Sequence, residues 1–246
     1  MGYEVITDND LLSARLEEIT VPEPTDTHMP VAYEDLIGWA LKALNVNEFD
    51  TELKSVEFVR GGAQMFGTWT VTSPDITGDD YSRVLGIRSS YDKTLPCGIV
   101  MGLQVMVCSN LMFSGDTKTV RRQTKGVYGD LPWEIHKMVE RYLLSTHTDV
   151  EFMESLKEVE GRRHKVNDFV VESMKADVIP SSHIKRVLDE WKAPTYEAFA
   201  EHREDLYGLH NAYTHVLKKV NPTSIVQRNA RLVEQMKKAW PVLNTA

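Results

Sequence analysis

SVEFVRG (Ser55–Gly61), QMFGTWTVT (Gln64–Thr72), SRVLGIRS (Ser82–Ser89), GIVMGLQVMVC (Gly98–Cys108) and KTVRRQT (Lys118–Thr124) follow one another along the middle of the chain. Each piece is short and rich in β-branched or aromatic residues. Turn clusters such as Ser73-Pro74-Asp75 and Thr77-Gly78-Asp79-Asp80 separate them, so they read as about five strands of an antiparallel meander. The fourth is apolar almost throughout, which fits a central strand covered on both faces.

Outward from this sheet the period changes. Leu36, Trp39, Ala40, Ala43 and Leu44 recur at helical spacing and predict a helix over about Val31 to Leu44. A short helix fits Asp8 to Glu18, and the Pro-rich Val21-Pro22-Glu23-Pro24 to Pro30 reads as a linker or arm. After Asp130 the pattern is helical again. Pro132 falls where a first turn tolerates it, and Ile135, Met138, Val139, Tyr142 and Leu143 mark one face. Glu151 to His164 alternates charges and reads as a solvated helix whose basic end, Arg162-Arg163-His164, suits a helix C-terminus. Thr195 is a candidate N-cap, Tyr196 to Leu217 carries an apolar stripe with Gly208 as a break, and a last helix fits Thr223 to Trp240. The expectation is an α+β protein: a central antiparallel sheet with flanking helices and a mostly helical C-terminal third. Its parts are an acidic, Pro-rich arm (1–29), an α+β core (30–160) and a helical region packed on that core (161–246).

The chain has 246 residues, 42% hydrophobic and 26% charged, enough for one large domain and near globular averages. The longest apolar stretch is too short to span a bilayer, and the first residues lack the basic and apolar regions of a signal peptide. No membrane association and a cytoplasmic setting are expected. Two cysteines, Cys97 and Cys108, make no disulfide framework. The net charge of −8 is unevenly placed. Residues 1–60 hold 13 acidic against 4 basic side chains, whereas 81–129 hold 7 basic (Arg83, Arg88, Lys93, Lys118, Arg121, Arg122, Lys125) against Asp92 and Asp116. A local positive field on an acidic protein can bind phosphate, because screening over about 8–10 Å makes the local charge matter more than the total.

Catalytic signatures are missing. There is no Walker-type phosphate loop, no Gly-x-Gly-x-x-Gly after a strand, no His-Glu-x-x-His and no Gly-x-Ser-x-Gly, so enzyme activity and a bound cofactor are unsupported. His210 and His215 are five apart and fall on different sides of a helix. Asp75, Asp79 and Asp80 suit a turn better than a calcium loop. Two polar segments flank the most apolar strand: Arg88 to Thr94, and Cys108 to Gly115. Arg88 and Lys93 suit a phosphate, Ser90 and Ser114 suit hydrogen bonding, and Tyr91 or Phe113 suits stacking on a base. Turn closure by Asp92 and Asn110 is the plainer reading of the same residues.

Those segments also carry a resemblance. Gln64-Met65-Phe66-Gly67, Leu85 to Thr94, Gly98 to Val107, Val107 to Gly115 and the later Leu206-Tyr207-Gly208-Leu209-His210-Asn211-Ala212-Tyr213-Thr214 resemble the phage- and plasmid-borne family called domain of unknown function nine-three-two, over about residues 30–235. The resemblance implies a mobile-element protein in a bacterial cytoplasm, among recombination, DNA-maintenance and anti-restriction functions, and supplies no catalytic residue. The expected function is a DNA-metabolism accessory protein that binds single-stranded nucleic acid as a homo-oligomer, in the manner of an annealing protein. Its binding residues are expected among Arg88, Ser90, Tyr91, Lys93, Lys118, Arg121, Arg122 and Lys125. The alternative is a counter-defence protein whose acidic N-terminal part binds a host protein, or which takes a signalling nucleotide. A metal-dependent enzyme using Asp75, Asp79, Asp80 and Asp92 ranks third.

Overall fold

The computed structural model describes residues 3–72, 81–105, 111–112, 117–218, 220 and 222–244. The α+β architecture is as expected. The chain divides into two compact units, one of residues 1–78, 82–101 and 117–144, the other of 79–81, 102–116 and 145–246.

The sheet contains β1 (Tyr3–Ile6), β2 (Asp50–Val59), β3 (Gln64–Thr72), β4 (Tyr81–Ser90), β5 (Cys97–Val105), β6 (Leu111–Met112) and β7 (Lys118–Arg121). They lie in sequence order from β1 to β6, with β7 also paired to β5. Five of these strands are the five sequence pieces; β1 and β6 are additional. β2 and β3 are antiparallel with a bulge between Leu53 and Ser55, and β3 pairs β4 from Gln64↔Ser90 to Val71↔Arg83. β5 is buried from Cys97 to Leu103, while residues 106–108 of the fourth sequence piece lie outside the described residues.

Side-chain alternation gives the sheet of the first unit two unlike faces. Val56, Phe58, Met65, Trp69, Val71, Leu85, Ile87, Cys97, Ile99 and Met101 join one core with α1 (Asn9–Glu18), α2 (Tyr33–Val46) and the first half of α3 (Val127–Lys157). Each helix has a direct contact on that face. Arg15 of α1 bonds Glu4 at 2.9 Å and lies over the Phe58 ring; Tyr33 of α2 packs on Phe58; Tyr142 of α3 lies beneath Arg83. Gly67 makes room here, because a Cβ on it would come within 2.4 Å of the Trp69 ring.

The first 29 residues contain β1, paired with β2 from Tyr3↔Val59 to Ile6↔Val56, and α1, whose N-cap Asp8 accepts from the Asp10 and Leu11 amides. The Pro-rich segment is clasped by Gln123. The Gln123 carbonyl accepts from the Met29 amide (2.9 Å), its side-chain oxygen accepts from the Val31 amide (2.8 Å), and its Nε2 donates to the Ser90 carbonyl (2.9 Å).

Several helical expectations need correction. α3 is one helix of 31 residues that begins at Val127, so Pro132 lies inside it rather than in its first turn. The missing amide forgoes only the bond to the Tyr128 carbonyl near the start, and the Leu131, Ile135, Met138, Val139 and Tyr142 stripe keeps the helix on the sheet. Residues 151–157 belong to the same helix and are not merely solvated, because Phe152, Met153 and Leu156 are buried. Arg162, Arg163 and His164 consequently sit at the N-terminus of α4 (Arg163–Lys175), where the helix dipole opposes rather than favours cations.

The second unit continues with α5 (Ile184–Lys192), α6 (Leu206–Leu217) and α7 (Pro222–Ala239). Thr195 does not cap a helix; its amide and hydroxyl both donate to Glu190, at 2.8 and 2.7 Å. α6 is capped by Asp205, which accepts from the Gly208 amide, and every residue from Leu206 to Thr214 is buried. Gly208 is a close-approach position, not a break: a Cβ there would lie 1.7 Å from the His202 carbonyl oxygen. No helix among the described residues is long and apolar enough to cross a membrane.

Candidate functional site

All three helices of the first unit lie on one side of its sheet, so the register of the strands defines what the other side presents. Val5 stands opposite Glu57, Glu57 opposite Phe66, Phe66 opposite Arg88, and Gly98 opposite Val120. The Arg88 side chain bridges the gap in this row. Its Nε and Cγ lie 3.0 and 3.2 Å from where a Gly98 Cβ would be, so the arginine lies flat over a residue that has no side chain. One residue pair along, Lys118 stands opposite Val100, and Gly86 opposite Thr68. Exposure along the row is 48% at Val5 and 49% at Val120, with Phe66 and Arg88 half-buried; beyond it Lys118 is exposed, while Val100 opposite it and Val84 of β4 are buried. Partial burial draws the Arg88 pKa below its ordinary value.

The face is chemically graded. Glu52 and Glu57 of β2 share it with Thr70 and Phe66 of β3, whereas Arg88 and Lys118 lie toward β5 and β7. A half-buried aromatic ring with basic groups on one side can stack a base and hold the adjoining phosphates.

The residues singled out in the sequence separate into three groups. Arg88 and Lys118 share this face. Lys93, Arg122 and Lys125 are exposed at loops, and no hydrogen bond or ion pair engages their side chains among the described residues. Lys93, at φ 63, lies close enough to His28 to act on it. Burial first, and then the Lys93 charge, lowers the His28 pKa, against a raising influence of the Gln123 backbone. Ser90, Tyr91 and Arg121 have structural partners instead. The Ser90 hydroxyl closes the β4–β5 turn on Leu95, donating to its carbonyl at 3.1 Å and accepting from its amide at 2.9 Å. Tyr91 stacks on Tyr33 with centroids 4.0 Å apart and planes 4° from parallel, and its oxygen accepts from the Tyr33 amide. Burial pushes its hydroxyl up to about 12. Arg121 is on the helix-covered face, paired with Asp130 and, at 3.1 Å, with Glu134 of α3.

Asp92 closes a turn. Its carboxylate accepts from the Thr94 amide and hydroxyl, Gln64 and Arg60. Burial alone would raise its pKa, but the bonds from Thr94 and Gln64 hold it below the usual value. Asp75, Asp79, Asp80, Cys108, Ser109, Asn110, Phe113 and Ser114 lie outside the described residues. Among the described residues no three His, Cys, Asp or Glu side chains come together in a way that could hold a metal ion. Phe66 is the residue the sequence reading left out of the site. The signal was present: in QMFGTWTVT the core residues Met65, Gly67, Trp69 and Val71 alternate with Phe66, which therefore points the other way.

No family model matches the chain, and neither does any curated protein or solved structure compared with it.

Proposed function

We propose that the face of the first unit's sheet opposite α1, α2 and α3 binds single-stranded nucleic acid, with a base stacked on Phe66 and phosphates near Arg88 and Lys118. The observation that carries this reading is the placement of α1, α2 and α3 on one side of the sheet, with Phe66 beside Arg88 on the other and Lys118 in the next row, two strands beyond Arg88. Gly86 keeps the backbone low two residues from Arg88, which suits close approach of a flexible strand. Arg122 and Lys125, just past β7, extend the positive charge toward the loop before α3. A role as an accessory protein of phage or plasmid DNA metabolism, with annealing by an oligomer, rests on the family resemblance and is part of the proposal.

The test is fluorescence anisotropy with a labelled single-stranded oligonucleotide, comparing the unaltered protein with Phe66→Ala, Lys118→Glu and Lys42→Glu. Lys42 lies on α2, on the covered side, and carries the same charge change. Stacking contributes roughly 1–3 kcal/mol per base, so Phe66→Ala is expected to weaken binding about tenfold or more. Lys118→Glu weakens it also, and Lys42→Glu leaves it nearly unchanged. Equal losses for Lys118→Glu and Lys42→Glu, or no loss for Phe66→Ala, would remove this surface as the site.

A further inference from the structure

The second unit contains a cleft that nucleic-acid binding leaves unused. It lies between α5 and α6, has a volume of about 640 Å³, and is bordered by Arg186, Asp189, Glu190, Thr195 and His215, with Ala193 and Val216 as its apolar lining. Small-molecule sites typically enclose about 300–1,000 Å³.

Its polar groups are held in place before any ligand arrives. Glu190 accepts one hydrogen bond on each carboxylate oxygen, both from Thr195. His215 Nε2 stands 3.9 Å from Glu190 Oε2, and the Tyr196 ring meets the imidazole edge-on at 6.0 Å. The Glu190 and His215 side chains are only 13% and 16% exposed, and His215 Nδ1 is buried, so neighbours fix both. Asp189 turns away along the helix to Lys185.

Arg186 behaves differently. It precedes Asp189 and Glu190 by three and four positions, the spacing at which a helix ordinarily forms ion pairs. It pairs with neither, and no hydrogen bond or ion pair engages its guanidinium among the described residues. An exposed guanidinium at the mouth of a cleft, with its carboxylate neighbours committed elsewhere, is a fork suited to a phosphate. The carboxylate of Glu190 retains lone pairs beyond the two that Thr195 uses, and these suit hydroxyl donors.

We propose that the α5–α6 cleft binds a small phosphorylated sugar, its phosphate on Arg186 and its hydroxyls on Glu190 and His215. The mixed lining fits such a ligand better than a bare anion, which would leave the remaining lone pairs of Glu190 without a donor, or a neutral sugar, which would leave Arg186 unused.

Isothermal titration calorimetry on the full chain tests this with ribose 5-phosphate, inorganic phosphate and ribose as separate titrants. Saturable binding of ribose 5-phosphate is expected, with phosphate alone and ribose alone each at least about tenfold weaker. Arg186→Gln should weaken ribose 5-phosphate at least about tenfold without lowering Tm, since the side chain is exposed, whereas Lys192→Gln on the same helix should leave affinity unchanged. Absence of saturable heat with ribose 5-phosphate, inorganic phosphate binding as tightly as the sugar phosphate, or equal affinity in Arg186→Gln would each overturn the proposal. None of these outcomes bears on the sheet face, whose ligand is read by oligonucleotide anisotropy.

Discussion

His210 is 1% exposed in the middle of α6, and neither ring nitrogen meets a hydrogen-bond partner among the described residues. Burial lowers its pKa to about 4, against about 6.5 for an exposed imidazole. The native state therefore holds the neutral ring while the unfolded chain takes up a proton between those values. Stability is full above about pH 6.5 and declines as pH falls toward 4, by on the order of 3 kcal/mol. His210→Leu should remove that part of the acid sensitivity and raise Tm at neutral pH, because an unpaired buried polar group is replaced by an apolar one. Thermal melts from pH 7 to 4 measure both effects, and an unchanged pH slope in the variant would refute the assignment to His210. At this same scale Tyr91 and Phe66 show what sequence does and does not reveal. Both are aromatics near basic residues, but Tyr91 is stacked on Tyr33, 58 positions away, a long-range contact that no local pattern encodes. Phe66 was legible from alternation alone.

Elements were legible where periodicity is local and lost where partners are distant. β2, β3, β4, β5 and β7 follow directly from five apolar pieces bounded by turns, but β1 is a strand only because β2 pairs with it. The joining of residues 127–157 into one helix depends on Phe152, Met153 and Leu156 finding a core, which charge alternation conceals. Gly208 illustrates the same limit. Its lack of a side chain reads as helix weakness, whereas the structure uses it to bring α6 against the His202 carbonyl. Gly208→Ala should accordingly destabilise the second unit by about 3 kcal/mol or more, well above the roughly 1 kcal/mol helix-propensity gain that alanine offers. Denaturant titration followed by tryptophan fluorescence, with Trp191 and Trp240 in that unit, reports the change; a stabilised variant would contradict the close-packing reading. The Gln123 clasp gives a counterpart in the first unit. Gln123→Leu leaves the Val31 amide and the Ser90 carbonyl without their side-chain partner and should cost about 2–4 kcal/mol. A loss below about 0.5 kcal/mol in urea titration would show that the Pro-rich segment does not need this anchor.

For the molecule as a whole, the net charge of −8 means that any binding of nucleic acid must arise from local placement of cations rather than from overall attraction. The charge division was visible in the sequence, but its sorting was not. Arg121 is neutralised by Asp130 and Glu134 on the covered side, while Lys118, three residues earlier, stands exposed on the other. A one-residue step in β7 separates the two faces, and only the pairing with β5 fixes which residue goes where. The most direct measurement is the affinity for a single-stranded oligonucleotide across a salt series, for the unaltered protein and for Lys118→Gln. The account predicts affinity that falls with salt, and a log–log slope shallower by about 0.7 when the Lys118 phosphate contact is removed. Binding that is absent at low salt, or a slope identical in the two proteins, would contradict the placement of nucleic acid on this face of the sheet.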